Sequence, residues 1–209
     1  MFKFTAKLNQ ETKNIIENRE QLKELTNCYG SPLNILFPNV MDKNISNFKD
    51  TLKKHHLSGK IYYAHKCNKS NSFLKQTLQN QINVDVASLE ELKSALSNGF
   101  TGDKIEATGP KNDDFIILGI RHNIIFNVDN LEEIRKINYF KEKIQTKNKI
   151  KVLLRLNGFK SEETKIINRN SRFGTPKSQV NKLIKYAQEN DKNLEIIGIS
   201  FHLDTVNVK

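Results

Sequence analysis

Two cysteines, four prolines and nine glycines in 209 residues exclude a disulfide-stapled mini-protein and a collagen-like repeat. No apolar run approaches the roughly 18 to 20 residues needed to span a bilayer. The first twenty residues, MFKFTAKLNQETKNIIENRE, lack the apolar core and small-residue cleavage site of a signal peptide. With so few cysteines, a reducing cytoplasm is the natural compartment. A block of one charge sign is missing too. The formal net charge is +11, but Lys and Arg are interleaved with Asp and Glu throughout. No zinc-finger string, RNP-like string or aromatic-basic platform accompanies them, so a Lys- and Asn-rich surface explains the charge better than a nucleic-acid partner.

What is present suffices for one ordinary domain or two very small ones: 37% apolar residues can pack a core, and 27% charged residues keep its surface wet. Residues 8–27 place Ile15, Ile16, Leu22 and Leu25 among polar residues, the pattern of an exposed helix. Tyr29-Gly30-Ser31-Pro32 stops it. Short Ile- and Val-rich runs follow at 33–37, 60–66, 82–88, 104–109, 123–128, 150–156 and 195–201 and read as strands. Helical-period segments lie between them. Ser88 offers a cap with a glutamate three residues on, and Gly99 closes that helix. Asn130 or Asp129 can cap the helix beginning at Leu131.

Strand–helix alternation predicts parallel βαβ units, as a doubly wound sheet or a barrel. Polar residues sit at the C-terminal tips of successive runs: Lys66, Asp85 and Ser88, Thr108 and Gly109, Asn127, Arg155, and His202. A barrel gathers such tips at one mouth, whereas an open sheet spreads them along an edge. No GxGxxG follows any strand, which removes the main dinucleotide-binding alternative. The barrel is therefore favoured.

Each tip has a plain reading beside the functional one. Strand alternation places Tyr62, Ala64 and Lys66 on one face and His65 and Cys67 on the other. A lysine in a barrel mouth is costly unless paired or neutral, and a neutral amine is what a Schiff base requires; the alternative is a snorkelling surface lysine. His202, on one face with Ser200, suits stacking on an aromatic ring or moving a proton, or else a structural hydrogen bond. Arg155 needs an anionic or carbonyl acceptor from protein or ligand. Asp85 interrupts an apolar run, and an ion pair with Lys66 or Arg155 would account for it. No metal-ligand spacing is present.

The ordered set YAHKCN (63–68), VDVASLEEL (84–92), ATGPK (107–111), FNVDNLEEI (126–134), VLLRLN (152–157), SRFG (171–174) and GISFHLD (198–204) resembles the pyridoxal-phosphate decarboxylases of the ornithine/diaminopimelate/arginine family. The likeness runs from about residue 29 to 205 and implies an α/β architecture, the alanine-racemase-like (β/α)8 TIM barrel. It implies pyridoxal 5'-phosphate as cofactor, with Lys66 as the Schiff-base lysine. Asp85 and Glu91 would lie near the cofactor, Arg155 in its pocket, and His202 against the pyridine ring with Ser200 two residues before it. Where the family continues with Gly-Ser, this chain has Asp204-Thr205. Thr205 keeps a hydroxyl for the phosphate, but a carboxylate beside a phosphate is unfavourable.

The resemblance also implies that 33–37 is a strand of the family's second, β-rich domain, and that the six later strands are barrel strands one to six of eight. Residues 1–32 then form a helical lead-in and 33–209 an incomplete cofactor-binding barrel. On this resemblance the family's C-terminal β domain, with groups that sort ornithine, lysine, arginine and diaminopimelate, is expected to be absent. Lys66 to Lys209 is too short to close eight units, since such barrels take roughly 200 residues or more. An open barrel would leave two unpaired edges and an exposed apolar interior. By itself this length is expected not to turn over a substrate. The expected partners are a small amino acid and, in the intact enzyme, a second copy of the chain. The competing reading is a non-catalytic or regulatory relative that forms mixed dimers. A small single-domain barrel binding the same cofactor ranks last, because it needs all eight strands.

Overall fold

The computed structural model describes residues 8–157 and 173–202. Two short helices, α1 (Gln10–Glu17) and α2 (Arg19–Tyr29), lead into α3 (Asn39–Lys54). Strands and helices then alternate: β1 (Tyr62–Ala64), α4 (Asn71–Gln79), β2 (Asn83–Val86), α5 (Leu89–Ser97), β3 (Ile105–Ala107), α6 (Asp113–Arg121), β4 (Ile125–Val128), α7 (Leu131–Ile144) and β5 (Ile150–Asn157). A two-residue strand, β6 (Thr175–Pro176), precedes α8 (Val180–Glu189) and β7 (Leu194–Phe201).

Every pairing is parallel, and β1, β2, β3, β4, β5 and β7 neighbour one another in chain order; β6 adds to the C-terminal end of β5. A doubly wound sheet reverses its order at a switch point. This one does not reverse, so the strands curl as successive staves of one barrel wall. Among the described residues β1 and β7 are the two edges, making a partial barrel of six staves.

The alternation of side chains decides what each face does. Val84, Val86, Ile105, Ala107, Phe126, Val128, Ile150, Val152 and Leu154 point outward and are buried against Leu74, Leu92, Ile116, Ile134, Ile137 and Leu183 of the helices. The opposite face carries Asp85, Glu106, Asn127, Arg155 and Ser200. Among these, Asp85 is the register partner of Glu106, and Arg155 of Ser200. The inner face is thus polar toward its C-terminal end, which corrects the expectation of an apolar interior: the helices, on the other side, take the apolar residues. A register shift between Val152 and Leu153 marks a bulge in the β5–β7 pair, and beyond it Ile199 and Phe201 are exposed.

Three local expectations also change. The single helix over 8–27 is two helices, because the Asn18 side chain accepts from the Gln21 amide at 3.0 Å and restarts the chain there. Residues 33–37 form no strand, since no ladder partner exists among the described residues; Ile35, Leu36 and Phe37 instead line a groove with Val40, Met41, Tyr63 and Phe73. Strand β1 ends at Ala64, and a 3-10 turn spans His65–Cys67, so strand alternation does not set the direction of Lys66. The predicted caps are present. Ser88 accepts from the Glu91 amide and Asn130, rather than Asp129, from that of Glu133.

Close packing of α6 on β4 depends on Gly119. A methyl there would lie 2.5 Å from Cζ of Phe126 and 2.9 Å from Cδ1 of Ile124, both in the core. Gly119→Ala is expected to lower the unfolding free energy by about 1–3 kcal/mol, read from urea denaturation with an unchanged m-value.

Candidate active site

The tips converge on one cavity of about 400 Å3, lined by Lys66, Asp85, Ala87, Thr108, Gly109, Pro110, Asn127, Arg155, Phe173, Ser200, Phe201 and His202. Lys66, Asp85, Arg155, Ser200 and His202, expected from the sequence, are therefore brought together, with Thr108 and Asn127. A larger hollow of about 790 Å3 lies beside the start of α7. Two of its charged residues, Lys111 and Glu133, already pair with each other, so the strand-tip cavity is the better candidate.

Lys66 stands on the 3-10 turn at the rim and is exposed. The residue before it, His65, is 1% exposed, and neither ring nitrogen has a hydrogen-bond partner. Burial pushes its pKa down, against the raising effect of the Glu91 charge, so the turn is anchored by a neutral ring in the core.

Asp85 makes no ion pair with Lys66 or with Arg155, contrary to the structural alternative. Its Oδ1 is buried without a hydrogen-bond partner. Burial pushes the carboxyl above its ordinary range, opposed by a hydrogen bond with Thr108 and by the charges of Lys66 and Arg155. Arg155 turns elsewhere: Nη1 lies 3.5 Å from Oδ1 of Asp129, and the guanidinium sits 5.0 Å from the centroid of the Phe173 ring. Phe173 is held there by its backbone. Asn157 donates to the carbonyls of Phe173 and Gly174 at 3.0 and 2.6 Å. At Gly174 φ is +88°, and a Cβ would come within 3.1 Å of the Arg155 carbonyl, so glycine alone fits.

A chain of hydrogen bonds crosses the inner face. The Ser200 hydroxyl donates to Oδ1 of Asn127 at 2.6 Å, and the Asn127 amide donates to Oε1 of Glu106 at 2.8 Å. Burial raises the Glu106 pKa, the Asn127 bond lowers it, and the Asp85 charge raises it further.

Glu91 does not line the cavity. Its Oε2 accepts from the Ala87 amide at 2.8 Å and its Oε1 pairs with Lys69 at 3.1 Å; it bears on the cavity through the backbone of Ala87 and through its charge, which raises the Asp85 carboxyl. Thr205 and Asp204 lie outside the described residues, as do Ser171 and Arg172. His202 is at the rim, just past the end of β7.

Lys111 was not singled out by pattern reasoning. Its ammonium is wholly buried, donating to the carbonyls of Gly109 at 2.8 Å and Asn127 at 2.7 Å and to Oε1 of Glu133 at 2.8 Å. The other Glu133 oxygen accepts from the Asp129 amide at 2.7 Å. One lysine thus ties the ends of β3 and β4 to the start of α7. Its only sequence signal is its place in the ATGPK string, because periodicity says nothing about a loop lysine. Lys111→Met would leave a buried carboxylate and two carbonyls without their donor. It is expected to cost about 3–5 kcal/mol in chemical denaturation.

This geometry can be set beside known proteins. Residues 40–206 match the family model described as pyridoxal-dependent decarboxylase, pyridoxal binding domain. A probable ornithine decarboxylase of Dictyostelium discoideum is 31% identical over 147 residues, covering 69% of this chain and 30% of that protein. An uncharacterized protein, y4yA, of Sinorhizobium fredii is 36% identical over 110 residues, covering 52% and 24%. Among solved structures, diaminopimelate decarboxylase from M. jannaschii in complex with L-lysine superposes with a TM-score of 0.76 at 26% identity, covering 86% of this chain and 44% of that one. AQ1208 from Aquifex aeolicus gives 0.72 at 25%, covering 87% and 42%. The chain thus spans less than half the length of each of these relatives. A match over most of its length, a barrel wall of the same build and the ordered strand-tip motifs agree: this chain belongs to the pyridoxal-dependent decarboxylase family and corresponds to its pyridoxal-binding barrel domain.

Proposed function

We propose that this chain is the cofactor-binding part of an amino-acid decarboxylase of the ornithine/diaminopimelate type, and that Lys66 is the lysine that condenses with the aldehyde of pyridoxal 5'-phosphate. The observation that carries this reading is the meeting of Lys66, Asp85, Arg155, Ser200 and His202 around one cavity. These residues fit the cofactor by their chemistry. It needs a primary amine for its aldehyde, cationic and hydroxyl groups for its phosphate and phenolate, and a flat partner for its ring. Bound there, it would supply an electron sink for the pair left behind when an amino acid loses carbon dioxide.

The chain's own residues have separable tasks. Lys66, on a turn pinned by the buried His65, holds its amine at the mouth, where an entering amino group can exchange with it. Arg155 is only loosely paired with Asp129 at 3.5 Å and is oriented by Phe173, so its remaining N–H groups are available to an anion. Thr108 and Ser200 bring hydroxyls to the cavity wall, and His202 brings an imidazole to the rim. Asp85 places a carboxyl beside the amine. Thr205 is assigned to the phosphate on resemblance. A basic amino acid as substrate, a two-copy assembly and a cytoplasmic setting complete the reading. The domain division, with a helical lead-in over 1–32 and a barrel from 33 onward, belongs to it as well.

Borohydride trapping tests it. After incubation with pyridoxal phosphate, reduction and digestion, mass spectrometry is expected to find the adduct on Lys66, and Lys66→Ala is expected to abolish it. Adduct spread evenly over the surface lysines would overturn the assignment.

A further inference from the structure

Three side chains on three strands make one line into the cavity wall. Glu106 on β3 stands behind the wall, whereas Asn127 on β4 and Ser200 on β7 line the cavity. The Asn127 amide nitrogen donates to Oε1 of Glu106 at 2.8 Å, and the Ser200 hydroxyl donates to Oδ1 of Asn127 at 2.6 Å. Asn127 is 6% exposed, so its amide depends on these two neighbours. What each group can offer fixes the direction of the line. An ionised carboxylate has lone pairs and no proton, an amide has one donor end and one acceptor end, and a hydroxyl has a single proton. Glu106 takes the donor end of Asn127. The acceptor end then faces Ser200, which spends its proton there. Turning the amide over would set Oδ1 of Asn127 against a carboxylate oxygen, two acceptors with no proton between them and little water to relieve them.

We propose that Glu106 is a positioning residue that sets the specificity of the cavity wall at Ser200. Acting through Asn127, it withdraws the Ser200 proton from the cavity. Ser200 then presents lone pairs there and takes an N–H or O–H of the bound molecule rather than an anionic oxygen. Anionic oxygens are left to Arg155, which lines the same cavity. This inference needs only the cavity, not the condensing role of Lys66.

The direction holds while Glu106 is charged. Burial raises its pKa as the leading influence, and the Asp85 charge on β2 raises it too. Against them, the Asn127 bond and the charges of Lys111 after β3 and Arg155 on β5 favour the anion. On β1, the Glu106 charge helps to raise the phenol of Tyr62. A protonated Glu106 has a donor of its own and can face either end of the Asn127 amide. Acid therefore releases the constraint, and the Ser200 proton becomes available to the cavity.

Inorganic sulfate is the probe, because it carries acceptor oxygens only. Its affinity is measured by NMR titration of the full chain, with Ser200→Ala, Glu106→Gln and the double variant beside the wild type. Glutamine can meet Asn127 with either end of its amide, so Glu106→Gln leaves both directions satisfied. Above the Glu106 midpoint, Ser200→Ala should change sulfate binding by under about twofold in the wild-type background and weaken it about tenfold in the Glu106→Gln background. With Glu106 intact, the dependence on Ser200 should appear only as pH falls through the Glu106 midpoint, followed at its carboxyl carbon. That pH series carries the same test if Glu106→Gln does not fold. A Ser200→Ala effect that is equal with and without Glu106→Gln, whether a loss or none, overturns the proposal. The Asn127 side-chain amide protons should also shift with the Glu106 titration, and amide protons that ignore it overturn the direction of the line. The expected Ser200 dependence with no borohydride adduct on Lys66 would overturn the Lys66 assignment and support this inference.

Discussion

The period of two along a strand is the constraint on which the rest of this structure depends. In a sheet whose strands all run parallel and in chain order, one face is claimed by the helices that make the crossovers. Every second residue must then be apolar, as Val84, Val86, Ile105, Phe126, Val128, Val152 and Leu154 are. The residues between them are released from that demand. Asp85, Glu106, Asn127, Arg155 and Ser200 occupy those positions, so a chemically active inner wall comes from the same geometry that builds the core.

The rim is kept in shape by buried charge rather than by apolar packing. Glu91 on α5 and Glu133 on α7 play matching parts. Each receives its helix cap from three residues earlier and accepts from the backbone amide one residue before that cap. Lys111 completes the second of these by bonding Glu133 and two strand-end carbonyls at once. Such a pair contributes little net free energy against an apolar substitute, but removing one member leaves the other stranded. Its effect is on geometry: the carbonyls of Gly109 and Asn127 are held where both residues line the cavity.

The comparisons and the polar wall bear on one another. Family membership accounts for a pyridoxal-binding barrel, and the inner wall shows what this chain brings to it. The chain spans less than half the length of these relatives, and six barrel staves are described here. Substrate choice and turnover therefore stay with the proposed reading, whereas the grouping of amine, guanidinium, hydroxyls and imidazole is a property of the fold itself.

Most of the architecture was legible in the residues. Alternating apolar runs and helical segments specified parallel units, Ser88 and Asn130 specified helix starts, and the tips Lys66, Asp85, Thr108, Asn127, Arg155, Ser200 and His202 could be named because strand ends in a barrel must meet. Legibility failed where partners distant in sequence decide the outcome. Residues 33–37 have strand composition, yet a strand exists only with a ladder partner. Glu91 belongs to a motif associated with the cofactor, yet the Ala87 amide and Lys69 take its carboxylate. Lys111 shows only its place in the ATGPK string and Glu106 only its alternating strand position; the burial and pairing of both arise when β3, β4 and α7 are assembled. Local periodicity follows from chain geometry and is written in the sequence; the charge state of a buried side chain depends on who faces it, and that was settled by the tertiary structure alone.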